Sequence, residues 1–337
     1  MERLMNKLAQ LLAEREVLLA DGATGTNLIP MGLDSGQAPE AWNFNHVDRI
    51  KKLHQGFIDA GSDIIITNTF GGTARRLHLH QLDDRVVEVN ARGAEIAAET
   101  AANAGRPIVI AGSVGPTGDL LVPLGALSYE GAVEAFEEQM TGLKQGGADV
   151  AWIETMSAPE EIDAAIQAAN TVGLPYVVTA SFDTAGRTMM GLAPADFART
   201  MAGKDPRPEA FGSNCGVGAS DLLVAALDMT ANADGVPVVC KANAGIPKVK
   251  GDEVVYTGTV ELMADYARLA VSIGARIVGG CCGNTAEHVA AMRDAIDRHN
   301  GGERPTKEEI IERLGPLVSP PSEAVGGGRP QRRRRRA

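Results

Sequence analysis

Short apolar segments alternate with amphipathic helical segments along almost the whole chain, and this alternation restricts the fold more than any other feature. The apolar segments are bounded by Gly, Pro or polar residues, which is typical of strands buried on both faces of a parallel sheet. Eight such strands, each followed by a helix, predict a (β/α)8 TIM barrel of the α/β class. A doubly wound open sheet is the competing fold, and it is disfavoured because no Gly-x-Gly-x-x-Gly turn follows the first strand. The predicted strands are 17–20, 64–67, 108–111, 150–154, 176–180, 210–214, 238–242 and 276–279.

The barrel is predicted to occupy residues 1–318 as a single domain, because a chain of 337 residues fits one α/β barrel with additions at its ends. Residues 1–15 are expected to form a helix across the bottom of the barrel, and residues 303–318 a further helix. Residues 319–337 are rich in Pro, Gly and Arg and are expected to form a disordered tail. Six arginines in the last nine residues either bind anionic polymers or form a solvated terminus with no role.

Polar residues predict where several helices begin. Ser157-Ala158-Pro159-Glu160 has the pattern of a capping box after the fourth strand, and Thr306-Lys307-Glu308-Glu309 has the same pattern near the C-terminus. Thr259 and Thr285 are expected to cap the last two helices of the barrel.

The overall composition is that of a globular protein, with 44% hydrophobic and 22% charged residues. The net charge is −11 despite the basic tail, and this acidic body argues against nucleic acid as the main ligand. No run of 18 apolar residues predicts a membrane span, and the N-terminus lacks the pattern of a secretory signal. We therefore expect a cytoplasmic protein that acts on small molecules, and the sequence leaves open whether it forms a homo-oligomer.

Unusual residues follow several of the predicted strands. Asp21-Gly22-Ala23 follows the first strand, Asn68-Thr69-Phe70 the second and Glu154-Thr155 the fourth, while cysteines follow the sixth and the eighth. The carboxyl ends of the strands of a (β/α)8 barrel meet at one mouth, which is where the active sites of such barrels lie. The sequence therefore predicts one site at this mouth.

Three of the four cysteines are predicted to bind zinc. Cys215 stands at the end of the sixth strand, and the adjacent Cys281 and Cys282 lie between glycines at the end of the eighth. Thiolates are preferred zinc ligands, and three protein ligands leave one tetrahedral position open, as in catalytic zinc sites. The alternative is that these cysteines are small buried hydrophobic residues, and that is the interpretation we adopt for Cys240, which lies inside a predicted strand.

A zinc ion with three thiolate ligands favours thiol chemistry. The three thiolates neutralise the charge of the ion and weaken its ability to activate water. An incoming thiol is instead acidified when it coordinates, and it is held as the nucleophilic thiolate. The residues alone therefore predict alkylation of a thiol substrate.

Six short motifs, in this order, resemble the homocysteine S-methyltransferase family. They span about residues 17–300, and the double cysteine makes the ordered set specific although each motif alone is weak. Among the members of this family, the chain is most similar to bacterial betaine–homocysteine methyltransferases. The motifs are Asp-Gly-Ala-Thr-Gly-Thr at 21–26, Thr-Asn-Thr-Phe at 67–70, Gly-Ser-Val-Gly-Pro at 112–116, Ile-Glu-Thr at 153–155, Asn-Cys-Gly at 214–216 and Gly-Gly-Cys-Cys-Gly at 279–283.

The resemblance implies a zinc-dependent methyl transfer to the thiol of L-homocysteine, giving methionine. The nucleophile would be the homocysteine thiolate at zinc, without a protein nucleophile. Asp21 and Glu154 match acids near the substrate ammonium group, although a helix cap and a buried ion pair are their alternative roles. The backbone at Gly22 and Ala23 offers N–H donors to the substrate carboxylate. Zinc ligation is carried over to Cys215, Cys281 and Cys282, and further substrate contacts or positioning roles to Asn214 and Thr69.

The methyl donor is less well specified than the acceptor. A quaternary ammonium or sulfonium donor requires aromatic faces, and Trp42, Phe44 and Phe70 are the candidates for the donor pocket. Betaine is favoured, but the tyrosine that follows Thr-Phe in animal betaine enzymes is replaced here by Gly71. S-methylmethionine, a dimethylsulfonium compound or a methylcorrinoid protein are alternative donors. An alternative of another class is a non-catalytic zinc-binding protein that acts through its basic tail.

Overall fold

The computed structural model describes residues 6–250 and 253–320. Eight parallel strands form one sheet in the order β1-β10-β7-β6-β5-β4-β3-β2, and a parallel bridge between Ala20 and Ile64 connects the two end strands. The sheet is therefore a closed (β/α)8 barrel, and all eight predicted strands are confirmed. The barrel strands are β1 Leu18–Leu19, β2 Ile64–Ile66, β3 Val109–Val114, β4 Val150–Met156, β5 Tyr176–Ala180, β6 Ala210–Cys215, β7 Val238–Ala242 and β10 Ile277–Gly280.

Helices surround the barrel, and the longer ones alternate with its strands in the order that the sequence predicts. Short 3-10 turns at residues 29–31, 39–41, 78–80 and 83–85 add to the loops that follow β1 and β2. The helices are α1 Lys7–Glu14, α2 Gly25–Leu28, α3 Trp42–Asn45, α4 Val47–Asp59, α5 Ala74–Leu77, α6 Val86–Ala101, α7 Tyr129–Gln145, α8 Pro159–Val172, α9 Pro194–Ala202, α10 Ala219–Ala231, α11 Val260–Ser272, α12 Ala286–Asp297 and α13 Lys307–Leu314.

The interior of the barrel is closed at its bottom by α1. Leu8 and Leu11 of this helix belong to the same buried cluster as alternate strand residues such as Ile64 and Trp152. The strand residues between them, such as Leu19 and Ile65, pack outwards against the surrounding helices. This alternation follows from the period of two in a strand, and it leaves only the upper mouth of the barrel open to a substrate.

Most predicted helix starts are confirmed. Thr259 and Thr285 are the N-caps of α11 and α12, and Thr306 forms a capping box with Glu309 at the start of α13. The capping box predicted at Ser157 is wrong, because Ala158 is the N-cap of α8 and makes no side-chain cap. Pro159 occupies the first helical position instead, where its fixed φ angle begins the helix without a polar cap.

An antiparallel hairpin of β8 Pro247–Lys250 and β9 Glu253–Tyr256 was not predicted from the sequence. It lies in the loop between β7 and α11 and brings Tyr256 to the mouth of the barrel. The tail predicted to be disordered, 319–337, lies almost wholly outside the described residues. Among the described residues, no helix is both long enough and apolar enough to cross a bilayer.

Candidate active site

A cavity of about 1190 Å³ opens at the carboxyl ends of the strands. Its floor includes the ends of β4, β6, β7 and β10, and its walls are the loops after β1 and β2. Most of the residues that the sequence placed at the mouth line it. Of the predicted site residues, Gly22, Ala23, Thr69, Phe70, Glu154, Cys215, Cys281 and Cys282 line this cavity.

Three thiols meet at one side of the cavity. The sulfur atoms of Cys215, Cys281 and Cys282 all lie within 4.8 Å of one another, and none of the three is in a disulfide. Cys215 has a φ angle of 62°, which is uncommon for a residue with a side chain and is typical of strained functional positions. The predicted grouping of these cysteines is therefore present, whereas Cys240 is fully buried in β7 away from the cluster.

Two asparagines hold the double-cysteine turn, and the sequence analysis did not identify either of them. The Cys281 N–H donates to the Ala242 carbonyl at 2.7 Å, and the Cys282 N–H donates to Asn243 Oδ1 at 3.0 Å. The amide of Asn284 donates to the carbonyl oxygens of Ala242 and Cys281 at 2.9 and 3.1 Å. The turn is thus fixed to the end of β7 by hydrogen bonds of both Cys281 and Cys282.

The thiol cluster stabilises one thiolate. The pKa of Cys282 is lowered to about 3 because its sulfur accepts hydrogen bonds from the thiols of Cys215 and Cys281, and from the hydroxyl of Tyr256. The pKa of Cys215 lies above its usual range, because its thiol donates to both neighbouring sulfurs. A cluster that already favours negative charge on sulfur is suited to a soft cation.

Glu154 lies on the floor of the same cavity. Burial raises its pKa to about 7, and the electrostatic effect of the thiol cluster at Cys281 adds to this rise, whereas Lys241 and Ser113 oppose it. The Ser113 hydroxyl donates to Glu154 Oε1 at 2.5 Å. A carboxyl group so placed can accept further hydrogen bonds from a bound cation such as an ammonium group.

Asp21 differs from its predicted role. It is 1% exposed and does not line the cavity, so the structure does not support direct contact with a substrate. One of its oxygens accepts from Lys241 Nζ at 2.9 Å, and the other accepts from the Ile66 N–H at 2.7 Å. Lys241 lies between Asp21 and the cavity and does line it. The physical reason is that a buried carboxylate requires a cation, and β7 supplies one.

Other residues that were predicted to contact the substrate form hydrogen bonds within the protein instead. Asn214 is fully buried, accepts from the Thr155 N–H at 2.8 Å, and approaches the sulfur of Cys281 at 3.8 Å. It therefore positions its neighbours and does not line the cavity. Thr69 lines the cavity, but its hydroxyl donates to the Ser113 carbonyl. The Ala23 N–H donates to the Asn284 carbonyl at 3.1 Å, so it is not free for a substrate.

Only one of the three predicted donor-pocket aromatics lines the cavity. Phe70 does so and is 37% exposed. Trp42 is 2% exposed in the core between α3 and its neighbours, with the guanidinium of Arg49 stacked 4.9 Å from its ring centre. Phe44 packs against a small cluster beside α6, under Arg85. The placement of Trp42 and Phe44 in the donor pocket is therefore corrected, because α3 folds their rings inwards.

The pattern of the whole barrel matches one known family. The family model described as homocysteine S-methyltransferase matches residues 18–296. The chain belongs to this family. The match covers every residue of the cavity floor, from Glu154 to the double-cysteine turn.

Relatives of this chain include two methionine synthases. That of Mycobacterium leprae is 29% identical over 321 residues, and that of Mycobacterium tuberculosis is 28% identical over 319 residues. Each alignment covers 90% of this chain but 26% of the relative, so the chain spans about a quarter of their length.

Solved structures share the fold at lower identity. The metallated form of the homocysteine methyltransferase MmuM from Escherichia coli has a TM-score of 0.72 and 23% identity, over 86% of this chain and 99% of that one. A methyltransferase from Methanosarcina mazei has a TM-score of 0.54 and 13% identity, over 87% of this chain and 98% of that one.

The three-thiol cluster fits a metal ion of the zinc type. Three sulfur atoms within 4.8 Å of one another match three corners of a tetrahedron with Zn–S bonds of about 2.3 Å. All three residues line the cavity, so an ion that they held would be accessible from the space that a substrate would occupy. Thiolates are soft ligands, which favours zinc over magnesium or calcium.

Proposed function

We propose that this homocysteine S-methyltransferase transfers a methyl group from a small onium donor, betaine being favoured, to the thiol of L-homocysteine, giving methionine. The observation that carries the proposal is the convergence of Cys215, Cys281 and Cys282 on one side of the cavity that the barrel mouth forms. These three residues would hold a zinc ion. We place the catalytic barrel at residues 1–318.

Zinc, when bound there, would acidify the homocysteine thiol and hold it in its nucleophilic form. The protein's own residues supply the position of the substrate. Glu154 accepts hydrogen bonds from the ammonium group of homocysteine, and Ser113 fixes the orientation of the Glu154 carboxyl group. Asn214 and Asn243 keep the ligand cysteines in place from β6 and β7.

Lys241 supplies a second electrostatic contact on the cavity floor. Two of its ammonium protons are used by the carboxylate and the carbonyl of Asp21, at 2.9 and 3.1 Å. An ammonium group has three donors, so one is left for the carboxylate of the amino acid. Asp21 thus contributes to the site through Lys241. Alignment of the thiolate with the methyl group, in a cavity that excludes bulk water, then provides the rate enhancement.

The donor assignment is supported by aromatic surface. Phe70 and Tyr256 line the cavity, and the faces of such rings attract onium groups. Betaine, S-methylmethionine and dimethylsulfonium compounds all fit this criterion. A donor panel separates them: purified protein is given homocysteine and one donor at a time, and methionine is measured. Methionine formed only from a methylcorrinoid protein would contradict the small-donor proposal.

The metal site is tested with two matched cysteine variants. Cys281→Ala is expected to lose stoichiometric zinc and methionine formation together, whereas Cys240→Ala keeps both because Cys240 is not in the cluster. Zinc content is measured by elemental analysis. A Cys281→Ala protein with one zinc per chain and full activity would rule out the assignment. A chain that ends at Pro320 is expected to remain active, and loss of its function would favour the alternative in which the basic tail acts.

A further inference from the structure

One cation on the wall of the cavity forms no ion pair within 4 Å with any residue that the structure describes. Arg76, on α5 in the loop after β2, lines the cavity and is half-buried. Its guanidinium forms no ion pair within 4 Å and no hydrogen bond with any of the described residues. Glu40 lies in the same wall, and its carboxylate accepts from the Gly71 N–H at 2.6 Å.

The lysine of the cavity and the neighbouring arginine on α5 both have carboxylate partners. Lys241 is bound to Asp21 on the cavity floor. Arg75, the preceding residue on α5, is exposed and forms an ion pair with Asp119. Among the described residues that line the cavity, Arg76 is therefore the one arginine or lysine without a carboxylate partner. A half-buried guanidinium without an ion-pair partner of the protein is free to pair with an anionic ligand in the cavity.

The surroundings of Arg76 leave its fork open. Its side chain passes over Gly118, where a Cβ atom would lie 3.2 Å from Cδ and 3.3 Å from Nη1 of the arginine. Gly118 has a φ angle of +86°, a conformation that favours glycine, so this position does not easily carry a side chain that would cover the guanidinium. Burial raises the pKa of Glu40, and the charge of Arg76 opposes that rise through space, without an ion pair within 4 Å.

The same loop carries the partly exposed ring of Phe70, six residues before Arg76. An aromatic face attracts an onium group, and a guanidinium fork matches a carboxylate with two parallel hydrogen bonds. Phe70, which can bind an onium group, and Arg76, which can bind a carboxylate, therefore both lie in the loop after β2 that forms this wall.

We propose that Arg76 binds the carboxylate of the methyl donor, so that the donor class is a small zwitterionic onium carboxylate. This inference rests on the proposed function. The reaction is balanced: the bond between the methyl carbon and the onium nitrogen or sulfur breaks, and its electron pair stays on that atom. The new bond joins the methyl carbon to the homocysteine sulfur. The thiolate loses its negative charge, and the donor becomes a net anion that Arg76 continues to neutralise.

The test compares donors that differ only in the carboxylate. Dimethylsulfonioacetate and trimethylsulfonium are given to the full-length protein with saturating homocysteine, and methionine formation is measured for the wild type, Arg76→Met, Arg76→Lys and the control Arg75→Met. A charge-assisted hydrogen bond contributes about 10- to 150-fold in affinity. We therefore expect Arg76→Met to lower kcat/KM for dimethylsulfonioacetate by about that factor, mainly through KM. Trimethylsulfonium should change less than threefold in every variant.

Arg76→Lys keeps the charge but not the fork, so an intermediate loss is expected, and Arg75→Met should match the wild type. Titration calorimetry with glycine betaine measures affinity without turnover. Wild type and Arg75→Met should bind it equally, Arg76→Lys more weakly and Arg76→Met most weakly. An Arg76→Met protein that still prefers the carboxylated donor as strongly as the wild type overturns the inference alone. If Arg76→Met does not fold, an undiminished preference in Arg76→Lys overturns it. Wild-type protein that forms methionine from no onium donor overturns the proposed function and this inference together.

Discussion

The buried ion pair between Lys241 and Asp21 gives the sharpest prediction for the barrel. The two side chains are 2% and 1% exposed, and Nζ lies 2.9 Å from Oδ1. Lys241→Met keeps most of the side-chain volume but removes the cation. Removal of one partner of a buried pair destabilises a protein by about 3–5 kcal/mol, because the other charge is left uncompensated.

The protein can limit this loss by protonating Asp21. Burial already raises the pKa of Asp21 above its usual 3.8, and the charge of Lys241 opposes that rise. At pH 7, which is about three units above the usual pKa of an aspartate, protonation of Asp21 costs about 4 kcal/mol, because each pH unit corresponds to about 1.36 kcal/mol. The same step costs less than about 2 kcal/mol at pH 5. We therefore expect Lys241→Met to lose about 3–4 kcal/mol at pH 7 and under 2 kcal/mol at pH 5.

The sign follows from linkage. An acid whose folded pKa lies above its unfolded value holds its proton longer in the folded state, so the variant becomes less stable as the pH rises through that interval. Urea unfolding at several pH values, followed by fluorescence of the two buried tryptophans, measures the effect. Lys204→Met, which breaks the more exposed pair with Asp163, is the control and should lose less than about 1 kcal/mol.

The double variant Asp21→Asn, Lys241→Met should recover most of the lost stability, because no charge remains buried and the amide oxygen still accepts from the Ile66 N–H. A loss of under 1 kcal/mol for Lys241→Met at pH 7 would refute the reasoning. So would a loss that is equal at pH 5 and pH 7.

Three further predictions test other parts of the site. Glu154 has a folded pKa of about 7, above its usual value of 4.5. The free energy of unfolding of the metal-free wild type should therefore fall by up to about 1.4 kcal/mol per pH unit as the pH rises from 4.5 to 7. Urea unfolding measures this slope, which Glu154→Gln should lack. Trp42→Ala should lower the free energy of unfolding by about 3–5 kcal/mol, because the ring is buried in the core. Phe70→Ala should mainly raise the KM of the donor, by about 2- to 30-fold, because the ring is partly exposed in the cavity. Equal effects of the two variants on the donor KM would contradict the placement of Trp42 in the core and of Phe70 in the cavity. Gly212→Ala should destabilise the protein by about 3 kcal/mol or more in thermal unfolding, because its Cβ would overlap the backbone carbonyl oxygen of Val239 in β7.

The strands and the thiol cluster were predictable because their signals are local. A buried parallel strand must be a short apolar run, and the barrel brings the residue after each run to one mouth. Cys215 and Cys281 are 66 positions apart in the chain, yet the strand count alone was enough to place them together. The hairpin that ends at Tyr256 was missed because its two strands are short and include three charged residues, so they do not read as apolar runs. The pair Gly-Asp at 251–252, which is common in two-residue hairpin turns, was a signal that the sequence analysis did not use.

The partners of the polar residues could not be read in the same way. Asp21 was expected to bind a substrate, because nothing local in the sequence pairs it with Lys241, 220 positions away. A signal was nonetheless present: Lys241 is a charged residue inside the run Val-Val-Cys-Lys-Ala, and a lysine buried on both faces of a sheet requires a carboxylate. The same reasoning applied to Trp42 fails, since only the folded path of α3 decides whether its ring turns inwards.

The contrast between Lys241 and Arg76 explains why the acceptor was easier to predict than the donor. The floor of the cavity is built from strand ends, where backbone geometry is fixed, and its one lysine is neutralised by an acid of the protein itself. The wall is built from loops, and its one arginine is left without a partner of the protein. Under the proposed function, the charge that the fold balances internally would help to hold the acceptor, and the charge of Arg76 would be matched by the donor. The loop after β2 would then specify the donor, because no strand period constrains its side chains.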